Sequence, residues 1–293
     1  MQDISELYRG YEDKVIDGKK LASEIEDSVR DGVKLVAEKG VDTTLATILV
    51  GEHPPSKLYV KLKHWACKRV GISSIDHKLP QETGEKELLS LISELNADDE
   101  VHGILVQMPL PEHINPISIM KAVAPGKDVD GFHPSNMGRL MQGDESGFVP
   151  CTPKGIMLAL ERYGIDVQGR HAVVVGHSNI VGKPTAAMLL NRNATLSVCH
   201  VYTQNLPAYT TQADILVVAT GVRGLIKKDM VKKGAVVFDV GITWVDERVH
   251  GDVQFSEVVD SVRLISPVPG GVGPITIAVL MAHTLKAASL TTR

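Results

Sequence analysis

Five short runs of almost continuously apolar residues follow one another in the second half of the chain. They are HAVVVG, TLSVCHV, ILVVATG, AVVFDVGI and RLISPV, and they fall between residues 171 and 268. A strand that is buried on both faces is apolar throughout, whereas a strand with one face in water alternates apolar and polar residues. Because helical or polar segments separate the runs, the pattern predicts a Rossmann-like, doubly wound parallel sheet with helices on both faces.

The first half of the chain carries a similar alternation on a smaller scale. Strands are predicted over residues 44–51, 74–80 and 101–111, and helices over residues 17–40, 56–70 and 88–97. Between Asp128 and Pro153 turn residues replace the pattern, which marks a domain boundary. We predict two α/β domains: residues 1–149, joined by a C-terminal helix at 275–293, and a Rossmann-like domain at 150–274.

Composition narrows the functions that are open to such a chain. Its 293 residues suffice for two domains, and a net charge of −4 argues against nucleic acid or an anionic membrane as a partner. No apolar run approaches the length of a membrane span, and the charged N-terminus does not resemble a signal peptide. Cys67, Cys151 and Cys199 form no CxxC pair, so we expect a cytoplasmic protein without disulfides and without a bound metal.

The segment VVVGHSNIVGKP, residues 173–184, resembles a turn that binds dinucleotides but departs from its glycine pattern. Gly176 follows the strand, as a tight turn into a helix requires. Ser178 and Val181 then stand where the fingerprint has glycines, and Gly182 comes one position late. Ser178 is small and has a hydroxyl donor, so the segment is either a cofactor site or an ordinary turn between a strand and a helix.

Two further observations favour a dinucleotide, and NADP over NAD. The next strands end in ATGVRG and DVGI, so glycines recur at the sheet edge where ligands bind. An NAD site usually has an acidic residue about twenty residues after the turn, but none occurs between Asp166 and Asp214. His177 and His200 are then candidate contacts for a 2′-phosphate, beside Val201, and the absence of an arginine leaves NAD open as well.

One lysine of the first domain falls on the wrong side of its predicted helix for a solvated residue. Lys57, Lys61 and Lys68 cluster on one side of the helical wheel, whereas Lys63 falls in the apolar stripe, one turn after Tyr59. A lysine that faces a pocket loses hydration, which lowers the pKa of an ammonium group and favours proton transfer near neutral pH. A lysine that extends from the edge of the stripe into water is the structural alternative.

Three other segments place chemically useful groups at turns or strand ends. Gln107 lies near the end of GILVQMP, where its amide can orient a lysine amine or meet water. Asp130, in DVDG, is either a turn residue or an acceptor for the edge of an amidine-like ring. The glycine-rich PVPGGVGP, residues 267–274, suits close approach of the backbone to a flat ligand through free amides.

Together these segments resemble one known family. YVKLK, GILVQMPLP, KDVDGFHPSNMGRL, PCTPKG, GHSNIVGKP and PVPGGVGPIT follow the order and spacing of the bifunctional methylenetetrahydrofolate dehydrogenase/methenyltetrahydrofolate cyclohydrolase (FolD) family. The resemblance implies oxidation of 5,10-methylenetetrahydrofolate to the methenyl form with NADP, and hydrolysis of that product to 10-formyltetrahydrofolate. It also implies two α/β domains with an active site in the cleft between them, and a homodimer.

The resemblance assigns a role to each candidate residue. Lys63, Gln107 and Asp130 are implied to be catalytic: Lys63 moves protons in the cyclohydrolase reaction, Gln107 positions it, and Asp130 fixes the pterin edge. The folate is implied to contact these three residues and Tyr59, Val106, Met108, Pro269, Gly270, Gly271, Val272 and Gly273. The cofactor is implied to contact Gly176, His177, Ser178, Val201 and Ile242.

The sequence departs from the family pattern at several positions, and two alternative functions stay open. Trp65 replaces a second lysine found in many members, and members that prefer NADP often have arginine or serine at the positions of His177 and Val201. A Rossmann dehydrogenase for another substrate, with Lys63 as its base, would leave PVPGGVGP and DVDGF without a role. A folate- or nucleotide-binding module that lacks catalysis is the non-enzymatic alternative.

Overall fold

The computed structural model describes residues 8–246 and 248–292. They form two compact units: one contains the described residues up to Ala22 and Thr152–Thr276, and the other contains Ser23–Cys151 and the residues from Ile277 onward. The helices are α1 (Gly18–Ala37), α2 (Pro54–Val70), α3 (Glu85–Ala97), α4 (Pro116–Ala122), α5 (Pro134–Met141), α6 (Cys151–Arg162), α7 (Gly182–Asn191), α8 (Pro207–Thr210), α9 (Phe255–Val258) and α10 (Val272–Ser289). The strands are β1 (Thr44–Val50), β2 (Ser73–Leu79), β3 (Gly103–Val106), β4 (His171–Val175), β5 (Thr195–Cys199), β6 (Ile215–Val218), β7 (Val236–Asp239), β8 (Thr243–Val245), β9 (Arg248–His250) and β10 (Leu264–Ser266).

The unit that contains Ser23–Cys151, called here the three-stranded unit, is built on a parallel sheet with the strand order β2-β1-β3. The central strand β1 is buried along its whole length, whereas edge strand β2 is partly exposed. Ile48 of β1, Ile92 of α3 and Ile119 of α4 are fully buried in one apolar core. Burial of each such side chain stabilises the fold by about 1.5–3 kcal/mol, and truncation of Ile92 to alanine would cost about 2–5 kcal/mol.

Helix α2 presents Tyr59 and Lys63, and local sequence sets its limits. Pro54 and Pro55 occupy the first turn, where a missing N–H costs no intrahelical hydrogen bond. The helix ends at Gly71, which adopts the left-handed conformation at φ +82° and donates its N–H to the carbonyl of Cys67. A side chain at this φ would be strained, so the glycine fixes where the helix stops.

The other unit, called here the five-stranded unit, has a parallel sheet with the strand order β10-β7-β6-β4-β5. Val173, Leu216 and Val237, from its three inner strands, are fully buried in its core. β5 and β6 lie on opposite sides of β4, so the strand order reverses beside β4. Such a reversal opens a crevice at the carboxyl ends of the strands, where α/β sheets bind ligands.

The predicted fold class is confirmed, since both units are α/β with parallel sheets and the five-stranded sheet is doubly wound about the reversal beside β4. Several local predictions were wrong. The turn-rich stretch 128–153 contains α5, because Pro134 starts that helix and His133 Nδ1 accepts a hydrogen bond from the N–H of Ser135. The strand predicted over 101–111 ends at Val106, shortly before Pro109, and the β8–β9 hairpin was not predicted.

The last helix, α10, is long and apolar enough to cross a membrane by length and composition alone, yet most of it is buried within the protein, as in a core helix. Its second half belongs to the three-stranded unit. There Met281 Sδ accepts a hydrogen bond from Cys67 Sγ at 3.6 Å, and His283 Nδ1 lies 2.9 Å from the carbonyl oxygen of Val129. These contacts anchor α10 beside α2 and the loop that carries Asp130.

Candidate functional site

Lys63 lies on the buried face of α2. Its exposed fraction is only 8%, whereas Lys57, Lys61 and Lys68 on the same helix are exposed. Trp65 is 41% exposed and does not share the face of Lys63. Because a buried ammonium group needs polar partners to offset lost hydration, the contacts of Lys63 define the site.

Gln107 is the hydrogen-bond partner of Lys63. Lys63 Nζ donates to Gln107 Oε1 at 3.1 Å, and Gln107 Nε2 donates to the carbonyl of Met108 at 2.7 Å. The Gln107 N–H also donates to the carbonyl of Ile48, which continues the ladder between β3 and β1 by one residue. Since the amide nitrogen is already bound to Met108, the amide oxygen is the atom that faces the lysine.

The loop after β3 and α4 presents Asp130. Asp128, which is buried, accepts hydrogen bonds from the N–H groups of Phe132 and His133 and from Asn136 Nδ2. Burial raises the pKa of the Asp128 carboxyl to about 6, and these hydrogen bonds oppose that rise. Asp128 therefore shapes the turn in which Asp130 stands.

Asp130 stands close to Lys63 and to the buried thiol of Cys151. Burial raises the pKa of the Asp130 carboxyl, while the Lys63 charge and a hydrogen bond with Cys151 oppose the rise. Cys151 Sγ also lies 3.3 Å from the carbonyl oxygen of Val129. The structure therefore brings Lys63, Gln107 and Asp130 into one group within the three-stranded unit.

Three further candidates belong to the same unit. Tyr59 lies one helical turn before Lys63 and is partly buried, and burial raises the pKa of its phenol to about 12. Val106 ends β3 and is buried, whereas Met108 is partly exposed. These side chains supply an aromatic ring and apolar surface next to the polar group of Lys63.

The Pro269–Gly273 turn belongs to the five-stranded unit. The Val268–Pro269 peptide is cis, Gly270 has φ +105°, and α10 begins at Val272. The expectation of free amides holds only for part of the turn, because the N–H of Gly271 donates to the carbonyl of Pro267 at 2.8 Å. The N–H groups of Val272 and Gly273 open a helix, where intrahelical partners are missing.

The turn after β4 has the close backbone packing that a dinucleotide site needs. Gly176 has φ +114°, and a Cβ there would lie 2.1 Å from the carbonyl oxygen of Ala219 at the end of β6. A Cβ on Gly182 would lie 2.1 Å from the carbonyl oxygen of Gly176. Both positions therefore require glycine, although the spacing differs from the common fingerprint.

Ser178 occupies the place of the second glycine and has a structural function there. Its Oγ accepts hydrogen bonds from the N–H groups of Val181 and Gly182, at 3.2 and 3.3 Å, at the N-terminus of α7. The hydroxyl proton of Ser178 is left for an outside acceptor, because both bonds use its oxygen. An exposed donor at this edge fits a phosphate or a ribose of a dinucleotide.

The remaining cofactor candidates also lie at the carboxyl edge of this sheet. The rings of His177 and His200 have centroids 4.9 Å apart, because they follow the ends of the paired strands β4 and β5. Val201 is 85% exposed and Ile242 is 41% exposed, so neither has a structural function in the core. In the described part of the chain, no cluster of three His, Cys, Asp or Glu side chains could hold a metal ion.

The sequence analysis missed a pair of buried carboxyl groups beneath this edge. Asp252 Oδ2 accepts hydrogen bonds from the N–H groups of Thr220 and Gly221 and from the Thr220 hydroxyl, at 2.6–2.9 Å. Asp239 accepts from the N–H groups of Gly241, Asp252 and Val253, and burial raises its pKa to about 7. The available signal was an Asp within two residues of a Gly in both DVG and HGD.

Two family models match the chain. The model described as "Tetrahydrofolate dehydrogenase/cyclohydrolase, catalytic domain" matches residues 16–130, and the "NAD(P)-binding domain" model of the same name matches residues 150–292. A "Bifunctional protein FolD" from Methanosarcina barkeri is 62% identical over 280 residues, which are 95% of this chain and 97% of that one. The protein of the same name from Wolinella succinogenes is 53% identical, over 94% of this chain and 96% of that one.

Solved structures give the same result. The crystal structure of the bifunctional enzyme FolD from Campylobacter jejuni has a TM-score of 0.92 at 49% identity, over 94% of this chain and 98% of that one. The Trypanosoma brucei methylenetetrahydrofolate dehydrogenase-cyclohydrolase was solved in complex with NADP cofactor and inhibitor. Its TM-score is 0.92 at 34% identity, over 95% of this chain and 98% of that one. The NAD-dependent 5,10-methylenetetrahydrofolate dehydrogenase from Saccharomyces cerevisiae shares the fold. Its TM-score is 0.79 at 21% identity, over 96% of this chain and 99% of that one.

Proposed function

Because the chain belongs to the tetrahydrofolate dehydrogenase/cyclohydrolase (FolD) family, we propose that Lys63, Gln107 and Asp130 carry the cyclohydrolase chemistry and that the glycine-rich edge of the five-stranded sheet holds NADP. The protein is a bifunctional enzyme of one-carbon metabolism. It oxidises 5,10-methylenetetrahydrofolate to the methenyl form with NADP and hydrolyses that product to 10-formyltetrahydrofolate. A dehydrogenase for an unrelated substrate and a binding module without catalysis are excluded by this membership.

The buried contact between Lys63 Nζ and Gln107 Oε1 is the observation that carries the proposal. In the hydrolysis, water adds to the carbon of the cationic methenyl group, and a bond from that carbon to a ring nitrogen breaks. One proton of the water must move to that nitrogen, and the other is released to solvent. Lys63 Nζ is the group that passes this proton to the nitrogen in the proposal. Its hydrogen bond to Gln107 Oε1 holds it in position for that transfer.

Asp130 binds the substrate rather than moving the proton in this proposal. A carboxylate accepts hydrogen bonds through two oxygens, which suits the two donors on the edge of a pterin ring. Tyr59 packs on the ring system, and Val106, Met108 and the Pro269–Gly273 turn border the folate. The domain bounds 1–149 and 150–274 stay predictions of the sequence pattern, and the cleft expected between the domains stays a prediction of the family resemblance.

The residues at the edge of the five-stranded sheet fit NADP. Gly176 allows the tight turn that directs the chain into the N-terminus of α7, where free backbone N–H groups suit a phosphate, and Ser178 has a hydroxyl proton to donate. His177 and Val201 border the ribose that carries the 2′-phosphate, and Ile242 lies towards one ring of the cofactor. When bound, NADP accepts the hydride that leaves the one-carbon bridge of the folate.

A homodimer and a cytoplasmic location also belong to the proposal. The outer edge of β5 has no paired strand among the described residues, and apolar Val198 and Leu190 are 40% and 54% exposed there and on neighbouring α7. All three cysteines are free and buried, which suits a reducing compartment. Light scattering and cell fractionation test these two statements; a monomeric protein, or one found outside the cytoplasm, would contradict them.

Replacing Lys63 by methionine tests the catalytic assignment. We expect Lys63→Met to lower the rate of methenyltetrahydrofolate hydrolysis by about 10²–10⁴-fold, since a positioned acid–base group contributes that much, while tetrahydrofolate still binds. Lys61→Met is the matched control, because Lys61 is exposed on the same helix. Hydrolysis that survives in Lys63→Met, measured by loss of methenyl absorbance, would remove Lys63 from the mechanism.

A further inference from the structure

The N-terminal segment, Tyr8–Gly18, covers the edge of the five-stranded sheet. Val15 forms a parallel bridge with Ile265 of β10. The N–H of Ile265 donates to the carbonyl of Lys14 at 2.8 Å, and the N–H of Ile16 donates to the carbonyl of Ile265 at 2.9 Å. β10 is an edge strand of its sheet, and the segment supplies the partner that such a strand otherwise lacks. The segment is therefore held in register with the residues that follow β10.

Both ends of the N-terminal segment hold the turn that follows β10. The Tyr8 hydroxyl donates to the carbonyl of Pro269 at 2.8 Å, and the N–H of Gly18 donates to the carbonyl of Gly270 at 3.0 Å. A Cβ on Gly18 would collide with the backbone of Gly271, so the two stretches run in close contact. Two successive carbonyl groups of the turn are thus fixed by one segment that is distant in sequence.

The Tyr8 side chain is itself held in place. Its ring packs edge-on against Phe255, with centroids 5.0 Å apart. Burial, with a smaller contribution from the charge of Asp239, raises the pKa of the Tyr8 phenol well above its usual value, so the hydroxyl keeps its proton and donates it. Tyr11 contacts the same Phe255 ring at 6.5 Å, but its hydroxyl makes no hydrogen bond with the described part of the chain.

We infer that Tyr8 is a positioning residue for folate binding, because it fixes the carbonyl of Pro269 and thereby the conformation of the Pro269–Gly273 turn. The inference rests on the proposed contact of that turn with folate. Tyr8 and Tyr11 precede residue 16, where the match to the catalytic-domain model begins, so the contact is made by residues outside the matched domain. A turn that is fixed before the substrate arrives loses less conformational entropy on binding.

Tyr8→Phe isolates this function because it keeps the ring and its packing on Phe255 and removes only the hydrogen bond. We expect the Kd for tetrahydrofolate, measured by calorimetry, and the KM for folate in both reactions to rise about three- to tenfold. The KM for NADP and both kcat values should stay as in the unmodified protein. Tyr11→Phe removes the equivalent hydroxyl from the same aromatic cluster and should leave the Kd for tetrahydrofolate unchanged.

A second variant separates failure of this inference from failure of the proposed function. Gly270 has φ +105°, so Gly270→Ala disturbs the turn directly and should weaken tetrahydrofolate binding. If Gly270→Ala weakens binding and Tyr8→Phe does not, Tyr8 has no positioning function and the turn still binds folate. If Gly270→Ala leaves the Kd for tetrahydrofolate unchanged, the turn does not contact folate, and the inference falls with the proposal on which it rests. A rise in the KM for NADP that equals the rise for folate in Tyr8→Phe would indicate general loss of structure and would also overturn the inference.

Discussion

The two candidate regions differ in which atoms of the chain do the chemistry. In the three-stranded unit the proposed catalytic groups are side chains held by other side chains, with buried Lys63 bonded to Gln107. In the five-stranded unit the side chain of Val201 is 85% exposed, and the proposed contact with the cofactor depends on the tightly packed backbone at Gly176. We therefore expect hydrolysis to be lost when a functional group of the first region is removed. We expect NADP binding to be lost when the backbone of the second region is displaced.

The largest expected effect in the second region comes from adding one methyl group at Gly176. Gly176→Ala places a Cβ against the carbonyl oxygen of Ala219 at a φ of +114°, and the turn must move. We expect the Kd for NADP, measured by fluorescence, to rise about 100-fold or more. Hydrolysis of methenyltetrahydrofolate should continue, because its proposed groups belong to the other unit.

Gly169→Ala is the matched control for strain without a collision. Gly169 also has a positive φ, of +72°, but a Cβ there meets no atom within 4 Å. Its effect on NADP binding should be small, although both variants introduce a strained alanine. Equal losses of NADP affinity in the two variants would show that the turn at Gly176 has no special relation to the cofactor.

The fold and the first region could be predicted largely from the sequence, for a physical reason. Buried parallel strands give continuous apolar runs, and a lysine in an apolar stripe is visible on a helical wheel. The helix α5 escaped prediction because its residues, Pro134, Ser135 and Asn136 among them, are common in turns, and its start depends on capping by His133.

The second region could be predicted only in part, because its geometry depends on residues that are distant in sequence. Ser178 was predicted as a donor to a phosphate, but its first function, accepting the N–H groups of Val181 and Gly182, follows from the path of the backbone. The carboxyl pair of Asp239 and Asp252 forms only when the loop after β7 folds back on itself. A pattern of neighbouring residues in the sequence cannot predict a contact between residues this far apart in the chain.

The next effect concerns the pH dependence of stability in the second region. Asp239 has a pKa raised from 3.8 to about 7, so the folded state binds its proton more tightly than the unfolded chain does. This contribution to stability is fully present below about pH 4 and is lost as the pH rises towards 7. We expect the free energy of unfolding to fall by about 2–4 kcal/mol more across this range in the natural chain than in Asp239→Asn.

Urea unfolding at a series of pH values measures this difference. Asp128, whose pKa is raised to about 6, contributes with the same sign in both proteins and cancels in the comparison. Asp229→Asn changes an exposed carboxyl in the same unit and should keep the pH profile of the natural chain. An Asp239→Asn profile that runs parallel to the natural one would show that Asp239 titrates at an ordinary pH in the folded state.

The smallest expected effect is on the choice between NADP and NAD. Val201 is exposed at the end of β5, so Val201→Arg adds a guanidinium at no cost to the core. If this position borders the 2′-phosphate, the ratio of kcat/KM for NADP to that for NAD should rise about tenfold. Val201→Gln adds a polar side chain without a charge and should leave this ratio nearly unchanged. A ratio unaffected by Val201→Arg would place the 2′-phosphate elsewhere.

In this account the catalytic side chains for hydrolysis belong to the three-stranded unit, whereas cofactor binding depends on the backbone of the five-stranded unit. The most direct test of this division measures the Kd for NADP and the rate of methenyltetrahydrofolate hydrolysis side by side for Lys63→Met and Gly176→Ala. We predict that Lys63→Met binds NADP normally but does not hydrolyse methenyltetrahydrofolate, and that Gly176→Ala hydrolyses it but binds NADP poorly. Loss of both properties in either variant, from protein that is shown to be folded, would contradict the division.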